Sequence, residues 1–436
     1  MNKPVLKVGI LGLGTVGQGV LRLLKNNAEE IERRVGRKLQ VSHVSARSAG
    51  KARDCDLSGI EVLSDAMQLA TQADVDIIVE TIGGISPARE LIEVALTRGK
   101  PVVTANKALL AEHGNELFAL ARKQNLSIGF EAAVAGGIPV IKAIREGLAG
   151  NRIDKLAGII NGTCNYILTQ MQSKGQSFAD ALADAQKLGY AEADPTFDIG
   201  GFDAAHKLTI LASIAFGMPL NFAAVSVEGI QSVTAQDIEI AKVFGYRIKL
   251  LGIAKRGAGG VELRVHPTLI PESTLLAKVD GVLNSVVIRG NAVGEVGLYG
   301  RGAGGDATAS AVVADLVDLA RGFGGDVRHA VPALAFQPEA VQSLAIAPAG
   351  AVESAFYLRL KVADEPGVLS RLTAILAEHQ ISVEAILQRE PSGHEDAHVA
   401  LITSVIAQQR FDHALNEIRK LPFVRSDAAR LRVEKF

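Results

Sequence analysis

Apolar positions fall into short runs along the first 130 residues, at 5–11, 39–44, 75–79, 102–103 and 127–130. Each run is too short for a helix and dominated by Val, Ile and Leu, which predicts strands buried on both faces, as in a parallel sheet. Between them apolar residues return at helical spacing, for example over 17–24 and 89–98. This alternation predicts βαβ units and an α/β domain over residues 1–130. Residues 131–333 mix helical stretches with β-rich segments at 252–254, 262–265 and 286–289, which predicts an α+β domain. A helix near 305–325 is expected to return to the first domain. Residues 334–354 are rich in Ala and Pro and poor in charge, as a linker is.

From 355 to 436 the pattern resets. Phe356, Leu358, Leu360 and Val362 alternate with Tyr357, Arg359 and Lys361, predicting a half-buried strand. Asp364-Glu365-Pro366-Gly367 makes a turn, and Val368, Leu372, Ile375 and Leu376 form a helix face. Strands follow at 381–386 and 398–403, then a helix carrying Phe411, Ala414, Leu415 and Ile418, then a strand at 431–433. The order βαββαβ over about 80 residues is that of a ferredoxin-like module.

At roughly 150 residues per domain, 436 residues fit about three domains. The chain is 48% apolar and carries 46 Lys and Arg against 47 Asp and Glu. Near-neutral charge and 4% aromatic residues leave neither a basic patch nor a stacking surface for nucleic acid. The first strand begins at Val5 with no signal-peptide layout, and no apolar run is long enough to span a bilayer. Cys55 and Cys164 lie far apart, which fits reduced thiols and a cytoplasmic setting.

Gly12-Leu13-Gly14-Thr15-Val16-Gly17 directly follows the first strand and opens a helix. In that context the glycines allow a tight turn and close backbone approach, and the helix N-terminus receives a pyrophosphate. The domain therefore reads as a Rossmann-type doubly wound sheet holding a nicotinamide dinucleotide. After the second strand stands Arg47 and no acid, which favours NADP over NAD. Arg47 follows Gly17 by 30 residues against the usual spacing of about 20, an excess that a long first helix and its loop absorb. Thr81 and Thr104-Ala105-Asn106-Lys107 close later strands at their carboxyl ends, where ligands of such sheets sit.

The densest chemistry lies at 188–207. Glu192, Asp194, Asp198, Asp203 and Lys207 crowd a loop that leads into a strongly apolar helix at 208–216. Asp203 and Lys207, four apart, share one helix face. Two readings stand: a surface ion pair beside an acidic turn, or an acid–base pair in a cleft. Cys164 reads as a buried structural thiol or as a nucleophile, and His206 as a packing histidine.

Six motifs in order resemble the homoserine dehydrogenase family in its monofunctional form with a C-terminal ACT domain: GLGTVG at 12–17, TANKALL at 104–110, FEAAVAGGIPVI at 130–141, INGTCNYIL at 160–168, LGYAEADPTFDIGGFDAAHK at 188–207 and GRGAGGDATASAV at 300–312. The resemblance implies a Rossmann domain, a catalytic and dimerisation domain, and an ACT regulatory domain. It implies reversible NAD(P)H-dependent reduction of L-aspartate 4-semialdehyde to L-homoserine, on the route to threonine, methionine and isoleucine. Lys207 is then the acid in reduction and the base in oxidation, Asp203 its partner, and Lys107 a second lysine facing substrate and nicotinamide. Glu192 and Asp198 are substrate-binding carboxylates, and Gly189 and Gly302 approach the cofactor. A monovalent cation, usually sodium, is implied at Glu131 with Val134, Gly136 and Ile138. Feedback inhibition by L-threonine and a homodimer or homotetramer are expected. The alternatives are another Rossmann-type dehydrogenase of amino-acid metabolism, such as a phosphorylating semialdehyde dehydrogenase using Cys164, and a non-catalytic nucleotide-sensing ACT regulator.

Overall fold

The apolar runs of the first 130 residues pair in parallel, because each carries too few polar positions to leave a face in water. The structure, a computed structural model, describes residues 3–47, 53–389, 396–425 and 428–435. Strands β1 (Val5–Leu11), β2 (Lys38–Ser45), β3 (Glu61–Leu63), β4 (Ile77–Glu80), β5 (Val102–Thr104) and β6 (Ile128–Gly129) form one sheet in the order β3-β2-β1-β4-β5-β6. The order reverses between β1 and β4, and ligands of doubly wound sheets bind at such a switch point.

The chain divides into two compact units, one of residues 1–156, 205–225 and 283–343, the other of residues 157–204, 226–282 and 344–436. In the first unit, helix Gly305–Arg321 joins the sheet's core through Ala309, Val312 and Leu316, packed with Leu6, Val8, Ile10 and Val20. The same unit holds an antiparallel hairpin of Leu283–Gly290 and Gly294–Arg301. The segment after residue 334 is tied down at several points. Glu339 pairs with Arg122 at 2.5 Å, and the Gln342 N–H donates to the Gly217 carbonyl at 3.0 Å.

In the second unit, strands Tyr246–Gly257 and Gly260–Pro271 form a long antiparallel ladder. Ala429–Val433 then pairs in parallel with Gly260–Pro271, at Thr268 with Arg432 and Leu269 with Val433. Glu353–Ala363, Asp396–Thr403 and Val383–Arg389 continue the sheet in that order. The C-terminal module thus has the ferredoxin-like strand order, and its core joins Phe356, Leu358 and Leu360 to Leu372, Ile375, Phe411 and Leu415. Among the described residues no helix is long and apolar enough to cross a membrane.

One expectation fails in detail. The alternating polar face of Glu353–Ala363 is buried, not half-exposed: Tyr357 is 0% and Arg359 5% exposed. Asp237, in helix Ala235–Val243, explains why. It accepts from Arg359 Nε at 2.6 Å and from the Tyr357 hydroxyl at 3.0 Å. Burial and the neighbouring carboxylate push the Tyr357 phenol well above its ordinary range. Asp237→Ala removes the carboxylate that meets the Arg359 guanidinium and the Tyr357 hydroxyl in a buried site, and is expected to destabilise the fold by roughly 3–5 kcal/mol in denaturant titrations. A loss below about 1 kcal/mol would mean that water reaches Arg359.

Candidate active site

Three local arrangements carry the chemistry. The first is the glycine turn. Gly12 has φ +93°, and a Cβ at Gly17 would stand 2.3 Å from the Gly12 carbonyl oxygen, so the chain turns there only with glycine. Helix Thr15–Asn26 begins at Gly14 with no side-chain cap and no acid in its first turn. A Cβ at Gly14 would meet nothing within 4 Å. Uncapped N–H groups beside open space suit a phosphate group. Leu13 and Val16 pack into the core below, and Thr81 Oγ1 fastens the turn by donating to the carbonyls of Gly12 at 2.8 Å and Leu11 at 3.2 Å. Arg47 follows β2 directly and is exposed.

The second lies at the ends of β4 and β5. Glu80 is fully buried, and its carboxylate accepts from the backbone N–H groups of Ile82 at 2.7 Å and Gly83 at 3.0 Å, and from Thr104 Oγ1 at 2.5 Å. Asn106 caps helix Lys107–Lys123 through the Leu109 N–H and donates to the Gly84 carbonyl at 2.6 Å. Lys107 is therefore the first residue of a firmly held helix, and it is half-buried. The same helix braces the one that carries Lys207. Glu112 lies 3.4 Å from His206 Nε2, and the Asn115 amide bonds both the N–H and the carbonyl of Leu220. His206 also stacks on Phe222 with ring centroids 4.2 Å apart, a packing role as expected.

The third arrangement is the acidic loop with its helix, which runs Phe202–Phe216 and so takes in both charged residues. Asp203 is 3% and Lys207 9% exposed, which removes the reading as a surface ion pair. In the second unit, Glu192 and Gly189 are exposed, and Gly189 has φ +74°. Asp198 is half-buried. A residue not singled out from the sequence joins them: Asn161 Nδ2 donates to Asp198 Oδ1 and to Asp203 Oδ2, each at 2.8 Å. Cys164 is 0% exposed, and its thiol donates to the Asp198 carbonyl at 3.2 Å. Buried and so engaged, it is a structural thiol, which counts against the nucleophile reading.

Glu131 heads the run implied for a cation. It is 2% exposed, and its carboxylate accepts from the N–H groups of Ile141 and Lys142, both at 2.8 Å. Burial nevertheless raises its carboxyl above the ordinary range. Val134, Gly136 and Ile138 are buried in the turn that follows, and Gly136 packs against the Gly302 carbonyl. Among the described residues no cluster of three or more His, Cys, Asp or Glu side chains could hold a metal, so a cation here would rest mainly on carbonyl oxygens.

The Glu131 N–H donates to Asp315 Oδ2 at 2.7 Å, and burial, outweighing Lys142 nearby, pushes the Asp315 carboxyl up to about 7. An unfolded Asp ionises near ~3.9. Between those values the folded chain holds the extra proton, so stability falls as pH rises through the interval. Asp315→Asn removes this titration and should gain on the wild type by on the order of 2–3 kcal/mol between about pH 5 and pH 8. Urea titrations at both pH values measure the difference. Parallel curves for the two proteins would show that Asp315 does not titrate there.

Comparison with known proteins agrees with this layout. The family model described as "Homoserine dehydrogenase, NAD binding domain" matches residues 12–131, "Homoserine dehydrogenase" matches 139–317 and "ACT domain" matches 356–423. The chain is 52% identical over 434 residues to a homoserine dehydrogenase of Pseudomonas aeruginosa, covering 99% of each. It is 51% identical over 432 residues to that of Neisseria gonorrhoeae, again covering 99% of each. Among solved structures, a homoserine dehydrogenase from Thiobacillus denitrificans superposes with a TM-score of 0.94 at 51% identity, covering 99% of this chain and 98% of that one. The S. aureus enzyme superposes at 0.76 with 31% identity, covering 99% of both. A nucleotide turn, a buried lysine helix and a ferredoxin-like module in one chain, matched end to end by these relatives, show that the chain belongs to the homoserine dehydrogenase family, oxidoreductases that act on CH–OH groups.

Proposed function

We propose that this protein reduces L-aspartate 4-semialdehyde to L-homoserine, reversibly and with NADP(H) preferred over NAD(H). The observation that carries the reading is Lys207: a buried ammonium one helical turn after a buried carboxylate, Asp203, on a largely apolar helix. When bound, the nicotinamide supplies the hydride that reaches the aldehyde carbon. Lys207 donates the proton that the carbonyl oxygen takes up, and it accepts that proton back in the oxidative direction. Asp203 keeps Lys207 charged and oriented. Glu192 and Asp198 hold the substrate's ammonium, and Lys107, pinned at a helix start, faces substrate and nicotinamide. Gly12 to Gly17, Thr81, Thr104 and Gly302 form the cofactor cradle of the first unit, whose uncapped helix N-terminus supports that role, and Gly189 is assigned to the cofactor by its place in the family motif. Arg47, without an acid beside it at the end of β2, supports the NADP preference.

The oxygen donors around Glu131, a buried carboxylate with the carbonyls of Val134, Gly136 and Ile138, suit a hard monovalent cation such as sodium. Such an ion would offset the buried charge and fix this turn. In the C-terminal module, Gly367 at φ +95° precedes helix Val368–Glu378, which has no side-chain cap. That exposed N-terminus supports capture of an amino-acid carboxylate, and with it feedback inhibition by L-threonine. Tyr299, 68% exposed on the hairpin strand Gly294–Arg301, supports self-association into a homodimer or homotetramer.

The deciding assay is loss of NADPH absorbance on adding aspartate 4-semialdehyde. Lys207→Ala is expected to lower kcat by roughly 10²–10⁴-fold with NADPH binding retained; wild-type turnover in that variant would remove the mechanism. L-Threonine titrated into the full-length enzyme should inhibit it progressively, and an unchanged rate would leave the ACT module without this role.

A further inference from the structure

Asn161 stands outside the roles assigned so far. It is 4% exposed and N-caps helix Gly162–Lys174, its Oδ1 accepting from the Cys164 N–H at 2.8 Å. Its Nδ2 has two N–H bonds, and each goes to a different carboxylate, Asp198 Oδ1 and Asp203 Oδ2, at 2.8 Å. One amide therefore uses both donors and its acceptor at once and cannot rotate without breaking several bonds. The helix it caps is itself fixed. One turn on, the Asn165 amide donates to the Val279 carbonyl at 3.1 Å and accepts from the buried Lys249 ammonium at 3.1 Å. Lys249 in turn donates to the Val279 carbonyl at 2.6 Å and to Asp280 at 2.9 Å.

We infer that Asn161 is a positioning residue for the reaction: its carboxamide sets the distance and orientation of Asp198, in the substrate shell, relative to Asp203, the partner of Lys207. The inference rests on the functional reading above. Two carboxylates this close repel unless donors are shared between them. Asn161 supplies those donors without adding charge, and the positive end of the helix dipole lies behind it. Its loss lets both carboxylates relax, so the substrate's ammonium and the Lys207 ammonium are each held less well.

The test separates the amide from the cap. Asn161→Ala loses both, whereas Asn161→Ser and Asn161→Asp keep a capping oxygen for the Cys164 N–H. Ser offers at most one donor on a shorter stem, and Asp offers none while adding a third negative charge. Thermal stability is expected to fall in the Ala variant and to return near wild type in the Ser variant. Activity should not return with it. In Asn161→Ser, kcat/KM for the amino-acid substrate is expected to fall roughly 10- to 100-fold, the factor carried by one hydrogen bond to a charged group. That loss should divide between a higher substrate KM and a lower kcat, with the NADPH KM unchanged, and Asn161→Asp should lose more. Wild-type kcat and KM in both capped variants, or activity that simply follows Tm across all three, would overturn the inference. Either result would leave the functional reading standing, because that reading is judged separately by Lys207→Ala.

Discussion

A carboxylate taken out of water must be given donors, and this requirement organises both units of the molecule. Glu80, Glu131, Asp203, Asp237 and Asp315 are all nearly inaccessible to solvent. Each is met by specific N–H or O–H groups. Glu80 takes two backbone amides and the Thr104 hydroxyl, and so welds the ends of β4 and β5 to the turn that follows. Glu131 takes the first amides of the helix beginning at Val140, and Asp315 takes the Glu131 amide, so two carboxylates and one helix start form a chain of supports. Glu80, Glu131, Asp237 and Asp315 each accept from at least one backbone N–H, and the backbone they hold then has one available course.

The same rule explains how the C-terminal module is built into its unit. A free-standing ferredoxin-like module would present one sheet face to water. Here the last strand pairs with Gly260–Pro271, and the face bearing Tyr357 and Arg359 closes on Asp237. Replacing water by a bidentate Arg–carboxylate contact and a phenol hydrogen bond makes that join specific as well as apolar. A change in this module can therefore reach helix Ala235–Val243 through this buried ion pair.

Much of this was legible in the sequence, for reasons that are local. Strands β1, β2, β4, β5 and β6 follow from apolar runs, and the nucleotide turn follows from glycine spacing in its strand–helix context. β3 was not visible, because Glu61–Leu63 has three residues and no periodicity to detect. The burial of Arg359 escaped because alternation describes one strand, whereas its partner lies 122 positions earlier. Asn161 escaped for the same reason: its two carboxylates are 37 and 42 residues further on. Its place in the INGTCNYIL motif and at the start of a helix were the signals present, and a capping position reports the acceptor of the amide but not its donors.

That division between acceptor and donors explains why an amide suits position 161 better than a cation would. An arginine or lysine there would also satisfy Asp198 and Asp203, but it would cancel one of the segment's four negative charges. The Glu192, Asp194, Asp198 and Asp203 segment would then lose part of the negative potential by which it attracts cationic groups. It would also place a cation beside the Asp203 carboxylate, one turn before Lys207 on the same helix. A neutral group with two donors fixes the carboxylates and leaves their charge intact. The geometry at Asn161 thus reconciles two demands that conflict in a dry site: acids must be held rigidly, and they must remain acids in the electrostatic sense.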